Sequence, residues 1–330
     1  TQARYAETRE KKSQMNSSIF KKPIQSQVQK LELNWTKQAK IDLYLQRDDQ
    51  IHAHISGNKW RKLKPIFEQY EQNAPKGVLS FGGPFSNHLV ASAEACFLHN
   101  IPFVACLRGN EEESKTSNFC LDFLRSRKAK IHWINRAEFR ALRTEHWKNP
   151  FPDLYPDFDI LAEGGQSDLA LKSCESISEF WTEDYNFACS SIGTGTTFSG
   201  MVNGLPKTCH GIGFLALKDQ NYLNEVIDNQ IVKNSNYHLN RNFHFGGFGK
   251  QNDELIEFMN DFHKQTEVQL DPIYTGKMLF GIRQLCLENY FTKGSKIIAI
   301  HTGGLSGIQD FNALRKRKNQ SFLNYNHYPI

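Results

Sequence analysis

Residues His54–Phe67 read HISGNKWRKLKPIF, and the fold and chemistry of the chain turn on how that stretch is read. Lys59 follows a turn signal, Ser56-Gly57-Asn58, and stands at an apparent helix start, with Pro65 expected in or near the first turn. A lysine on the lip of a glycine-containing turn can project into a cleft. Desolvation there lowers its pKa, and the amine can then condense with an aldehyde. The competing reading is a basic helix start on a solvated face, because Lys59, Arg61, Lys62 and Lys64 crowd together. The stretch alone leaves both open.

Outward from it, short apolar runs alternate with helical patterns. IDLYL (41–45) reads as a strand before the turn, and LKPIFEQYEQ (63–72) as helix after it. GVLSFGG, IPFVACLRG and KIHWIN read as buried strands, separated by helices in PFSNHLVASAEACFLHN and SNFCLDFLRSRKA. Residues 141–159 carry three prolines and read as a long irregular connection. Beyond it DILAEGGQS ends in a glycine pair, and ESISEFW after Cys174 has helical spacing. FACSSIGTGTTFSGMVNGL reads as strand, loop and helix, and HGIGFLAL as a strand. Helices follow in NYLNEVIDNQIV, in the segment after HFGGFGK and in KMLFGIRQLCLENYF, with SKIIAIHTGG as the last strand. NSNYHLNRNFH reads as surface, and residues 1–18 as a loose tail or surface helix. The alternation predicts an α/β fold with mostly parallel, doubly wound sheets. Glycines recur at strand ends (Gly82-Gly83, Gly164-Gly165, Gly193, Gly246-Gly247, Gly303-Gly304), where such sheets bind ligands.

A length of 330 residues allows two domains or one large one. The net charge of +5 is spread along the chain, which suits an anionic small molecule better than nucleic acid. No apolar run is long enough to span a bilayer, and the first residues lack a charged-then-apolar signal pattern. Seven cysteines without CxxC or metal-like spacing read as reduced, mostly buried thiols. The expectation is a cytoplasmic protein without a metal site.

Four further segments carry candidate chemistry. The loop Gly193-Thr194-Gly195-Thr196-Thr197 stands between strand and helix, where free amides and the positive helix end favour a phosphate. It lacks the GK[ST] of a Walker loop and the GxGxxG of a dinucleotide fold, and a plain tight turn is its alternative. Ser86-Asn87-His88 offers hydroxyl, amide and imidazole groups at a helix start. Its alternative is an ordinary N-cap, with His88 packed inward. Tyr274 in YTGK (274–277) reads as acid, base or nucleophile, or as amphipathic packing. Thr302 in HTGG (301–304) can exchange one neutral hydrogen bond, or merely cap the strand.

Taken together and in order, these motifs resemble one family. SGNKWRKLK (56–64), GGPFSNH (82–88), EGGQS (163–167), GTGTT (193–197), YTGK and HTGG match pyridoxal-phosphate enzymes of the tryptophan-synthase-β type, fold type II. Within them the match is to the 1-aminocyclopropane-1-carboxylate deaminase and D-cysteine desulfhydrase group, over about three-quarters of the chain. The resemblance implies a larger cofactor domain from residues 18–64 and 166–330, a smaller inserted α/β domain over 65–165, and a polar extension over 1–17. It implies pyridoxal 5'-phosphate as cofactor, a small amino acid as substrate and a homodimer. Lys59 looks like the Schiff-base lysine, and Gly193, Thr194, Gly195, Thr196 and Thr197 like the phosphate loop. Asn87 would bond the ring oxygen, Ser86 would face the substrate as nucleophile or proton donor, and His88 and Tyr274 would lie near it. Thr302, with Thr275, would approach the pyridine nitrogen.

If a threonine stands there in place of an aspartate, that nitrogen need not be protonated, and the ring is a shallower electron sink. Prompt loss of a Cβ leaving group, or ring opening, then ammonia release with a 2-oxo acid, is favoured over transamination. Thr275 and Thr302 lean toward the desulfhydrase branch, since the deaminases proper carry an acidic residue at the former position and no threonine in the latter motif. Phe85 replaces a usual Gln or Tyr, and Phe248 an expected tyrosine, which removes a possible proton carrier. Two other classes compete: a cofactor binder with decayed activity, motivated by Phe248, and a nucleotide binder using GTGTT.

Overall fold

A computed structural model describes residues 19–21, 24, 26–110, 112, 117–218, 222–232 and 235–325. The expectations for residues 1–18 lie outside the described residues. Two compact units emerge: one draws on Thr1–Ile24 and Lys59–Ser167, the other on Gln25–Asn58 and Asp168–Ile330, through their described residues. In chain order the strands are β1 (Val28–Leu31), β2 (Asp42–Gln46), β3 (Val78–Gly82), β4 (Phe103–Arg108) and β5 (Lys130–Ile134). β6 (Asp159–Leu161), β7 (Phe187–Ile192), β8 (His210–Leu215), β9 (Tyr237–Asn240) and β10 (Lys296–Ile300) follow.

The first unit holds a parallel four-stranded sheet, ordered β5-β4-β3-β6. Every residue of β3 is buried, as a strand covered on both faces requires. Leu79, Phe81, Val104 and Cys106 pack with Phe139, Trp147 and Tyr155 into one cluster. The second unit holds a six-stranded sheet, ordered β1-β2-β10-β7-β8-β9. Only the β1–β2 pair is antiparallel. Apolar clusters cover both its faces, one beneath the helices Asp253–Thr266 and Thr275–Leu287, the other beneath Thr196–Asn203. This is the α/β architecture of mostly parallel sheets flanked by helices that the sequence predicts.

Several local expectations need correction. The helix at Lys59 runs Asn58–Gln72, so Pro65 lies well inside it rather than in its first turn. Proline there forfeits one backbone hydrogen bond. Burial of Trp60, Leu63, Ile66 and Phe67 on one helix face offsets that loss. The proline-rich connection begins later than expected, because Arg136–Thr144 is a helix. Asn135 caps it, its Oδ1 accepting from the Ala137 and Glu138 amides at 3.0 Å each. The helix near Cys174 precedes it (Asp168–Cys174), and ESISEF continues as a tighter 3₁₀ segment. Part of NSNYHLNRNFH is the edge strand β9, paired to β8, with Tyr237 and Leu239 half-buried on the core. Gly246-Gly247 therefore does not end a strand. All seven cysteines are buried and free.

Candidate active site

In the second unit, β2, β10 and β7 are adjacent and parallel, so the loops after them emerge at one sheet edge, the carboxyl ends. These loops are the Ser56-Gly57-Asn58 turn, the His301–Gly304 segment and the Gly193–Thr197 loop. They interlock. The Gly57 amide donates to Asp48 O at 3.0 Å, and the Asn58 amide to Thr302 O at 3.4 Å. Gly57 has φ +62, and a Cβ there would overlap the Thr302 carbonyl, so only glycine fits. Asn58 Nδ2 donates to Thr197 Oγ1 at 2.9 Å, tying the residue directly before Lys59 in the chain to the Gly/Thr loop. Thr302 Oγ1 lies 3.5 Å from Ser191 Oγ at the end of β7.

The Gly/Thr loop enters the helix Thr196–Asn203 through Gly195 at φ +92, without a side-chain cap. The first amides of such a helix lack intrahelical partners, and its dipole favours an anion. Thr196 Oγ1 is buried without a partner, and so is Thr275 Oγ1. Such hydroxyls cost about 1–3 kcal/mol each unless something bonds them. The Thr196 hydroxyl, an unsatisfied donor at the first position of that helix beside its free amides, fits a phosphate. Tyr274 is near: a Cβ on Gly193 would stand 3.1 Å from its Cε1 and 3.4 Å from its hydroxyl. Asp271 fixes Tyr274 and Thr275, its carboxylate accepting from the amides of Ile273 (3.0 Å), Tyr274 (2.7 Å) and Thr275 (2.8 Å). Phe248 is half-exposed, its ring centroid 6.2 Å from that of Tyr274 and edge-on.

In the first unit, Lys59 is partly buried in the first turn of its helix. Ser86 caps the helix Asn87–Leu98, its Oγ accepting from the Leu89 amide at 3.3 Å. Asn87 is the first residue of that helix and partly exposed. His88, expected beside the substrate, sits in the core of the unit, with Nε2 2.9 Å from the Ser80 hydroxyl. Burial, reinforced by the Lys59 and Lys62 charges, holds its pKa well below the ordinary imidazole value. Ser80 in turn donates to Leu161 O at 2.8 Å, and the Lys62 ammonium to Gly164 O at 3.1 Å. The EGGQS turn is thereby fixed to the strand and helix beside it. Phe85 is exposed.

Motif reading missed Asn58, Asp271 and His301. His301 is buried, its Nε2–H donating to Gln269 O at 2.7 Å while Nδ1 accepts from the Gly303 amide at 3.2 Å. Each lies within or beside a quoted motif, but its role depends on partners distant in the chain. An open cavity of about 640 Å³ occupies the opposite, amino-terminal edge of the same sheet, lined among others by Asn186, His210 and Tyr290. No helix among the described residues is long and apolar enough to cross a membrane.

No family model matches the chain. A mitochondrial bifunctional D-cysteine desulfhydrase/1-aminocyclopropane-1-carboxylate deaminase of Arabidopsis thaliana is 26% identical, covering 82% of this chain and 74% of its own. A putative 1-aminocyclopropane-1-carboxylate deaminase of Pyrococcus horikoshii is 24% identical over 83% and 88%. A D-cysteine desulfhydrase of Salmonella paratyphi C is 23% identical over 81% and 88%. Among solved structures, an ACC deaminase homologue matches with TM-score 0.73 at 22% identity, over 86% of this chain and 91% of its own. A fungal L-serine ammonia-lyase from Rhizomucor miehei gives 0.62 at 10% identity, over 90% and 98%. The chain is thus similar along most of its length to the family its motifs resemble, and it shares that fold. The relatives' names divide between desulfhydrase and deaminase.

Proposed function

We propose that this protein is a pyridoxal 5'-phosphate-dependent lyase that converts a small amino acid to a 2-oxo acid and ammonia, most like a D-cysteine desulfhydrase. The observation that carries the reading is the interlocked set of loops after β2, β10 and β7, with the unpartnered Thr196 hydroxyl at the uncapped helix start. When bound, the cofactor supplies an aldehyde and an electron sink that loosens the Cα proton of an amino acid.

The remaining work falls to this chain's own groups. The Gly193–Thr197 amides and hydroxyls bind the phosphate, and the Asn58–Thr197 bond keeps that loop in register with the turn before Lys59. The Lys59 amine would anchor the cofactor and would serve as the base that takes the Cα proton. Asn87 donates to the ring oxygen, and the helix-start hydroxyl of Ser86 faces the substrate, with His88 supporting that helix from the core. Tyr274 brings its phenol to the substrate. Thr302 gives the ring nitrogen a neutral hydrogen bond, and Thr275 stands by it. With D-cysteine, the Cα–H and Cβ–S bonds break and sulfide leaves. One water then releases ammonia and leaves pyruvate.

A second reading, deamination of 1-aminocyclopropane-1-carboxylate by ring opening, is favoured by the names of the Pyrococcus relatives. The proposal includes a cytoplasmic homodimer, which the resemblance alone supports. The test is to load the protein with cofactor and offer small D- and L-amino acids and the cyclopropane amino acid, assaying ammonia, 2-oxo acid and sulfide. Sulfide and pyruvate from D-cysteine are the expected result. Release of ammonia from the cyclopropane substrate alone selects the second reading, and a borohydride-reducible adduct without any turnover selects a decayed binder.

A further inference from the structure

Lys277 is fully buried in the first turn of the helix Thr275–Leu287. A cation there opposes the positive end of the helix dipole, so its surroundings must compensate. They do so through main-chain carbonyls. Its Nζ donates to His244 O at 2.9 Å, Gly247 O at 2.9 Å and Ala216 O at 3.4 Å. Burial lowers its pKa to about 8, against the opposing pull of the Asp271 carboxylate. The carbonyls come from two separated segments, the end of β8 and the turn that carries Phe248. Beyond Phe245, whose ring centroid lies 5.0 Å from that of Phe280, that turn has few side-chain anchors near Phe248. Gly246 and Gly247 lack side chains and stand at φ +93 and +121, and Phe248 is half-exposed. Its internal bonds are short-range: Gly246 N–H to His244 Nδ1 (2.9 Å), Gly247 N–H to His244 O (3.0 Å) and Lys250 N–H to Gly247 O (3.1 Å).

We propose that Lys277 is a positioning residue whose buried ammonium clamps the His244–Lys250 turn and so holds Phe248 edge-on against Tyr274. A charge-assisted bond to a carbonyl is about twice as strong as a neutral one, so a single ammonium can fix a turn that glycine leaves loose. The catalytic consequence rests on the function proposed above, whereas the clamp itself does not.

The test compares Lys277→Met and Lys277→Ala with the parent by amide hydrogen exchange, each in the full chain. Loss of the clamp should speed exchange at Gly246, Gly247 and Lys250 roughly tenfold or more, as removal of one charged hydrogen bond implies. Amides of the Asp253–Thr266 helix should keep their protection. Propylammonium, which replaces the deleted atoms in Lys277→Ala, should restore slow exchange in the turn, and propanol should not. For any substrate the parent turns over, Lys277→Met should raise KM more than it lowers kcat. Unchanged exchange in the turn would overturn the proposal. So would protection lost equally across the Asp253–Thr266 helix, or rescue by propanol, since either reduces Lys277 to core filling. Absence of turnover in the parent would defeat the functional reading while leaving the exchange result to decide the clamp.

Discussion

Lys59 and Ser86 illustrate how differently two residues can depend on their surroundings. Nothing in HISGNKWRKLK separates a cofactor lysine from a solvated helix start. The proposed cofactor role draws its support from Asn58, one residue earlier, which bonds Thr197 and Thr302, residues more than a hundred positions away. Lys59→Ala should therefore abolish the borohydride-reducible linkage and turnover together while leaving the fold intact. Mass spectrometry after reduction checks it, and a reduced adduct persisting elsewhere with full activity would reassign the lysine. Ser86 has a structural duty already visible, the cap on the Leu89 amide. Ser86→Ala should cost about 1 kcal/mol of stability for that cap. If the hydroxyl also moves a proton, kcat should fall on the order of 10²-fold with the lysine linkage retained. A stability loss with unchanged kcat would make Ser86 a cap only. The hydroxyl's candidacy was legible in SNH, but its bond to Leu89 N depends on the helix that follows. His88 was less legible, because its inward turn follows from Ser80 on a neighbouring strand.

At the scale of elements, strands such as VLSFG and KIIAI were legible because continuous apolar runs ended by glycine have one economical fate, a sheet buried on both faces. The edge strand β9 was not, since only Tyr237 and Leu239 face the core and its other side is polar. The Arg136–Thr144 helix was hidden by the prolines after it, although Asn135 marks its start. The Ser56-Gly57-Asn58 turn could be read as a turn, but its fit against Thr302 could not, because that fit exists only once β10 lies beside β2. Gly57→Ala tests the fit. Its Cβ would strike the Thr302 carbonyl in a left-handed backbone, which strains any non-glycine residue by about 1–2 kcal/mol before the clash is counted. The expected outcome is a lowered melting temperature and weaker cofactor retention, read by thermal unfolding with and without pyridoxal 5'-phosphate. If cofactor affinity were unchanged, the turn before Lys59 would not be what sets the lysine.

At the scale of the whole molecule, the charge of +5 is too diffuse to direct a partner, but buried ionisable groups give stability a pH dependence. In the first unit, burial and the neighbouring Lys59 and Lys62 charges depress the His88 pKa well below its ordinary value, and burial also lowers that of His99. An unfolded histidine takes up a proton near pH 6.5, whereas folded His88 stays neutral. Below that pH the unfolded state binds more protons than the folded state, so stability is complete above it and declines as pH falls toward the folded value. Each fully shifted histidine contributes a slope of about 1.4 kcal/mol per pH unit in that window. Asp49 in the second unit, whose pKa is lowered by His301 and Arg47 against the opposing effect of its own burial, adds a loss only at lower pH, below the ordinary carboxylate range. Urea unfolding followed by circular dichroism should thus give a free energy that falls between pH 6.5 and 5. It should rise slightly toward pH 8, where buried Lys277, with its pKa lowered to about 8, begins to lose its proton in the folded state only. His88→Gln, which cannot take up a proton in either state, should remove up to about 1.4 kcal/mol per pH unit of that slope whatever it does to the intercept. A slope identical in parent and variant would place the acid sensitivity elsewhere and imply that the His88 ring accepts its proton inside the folded core.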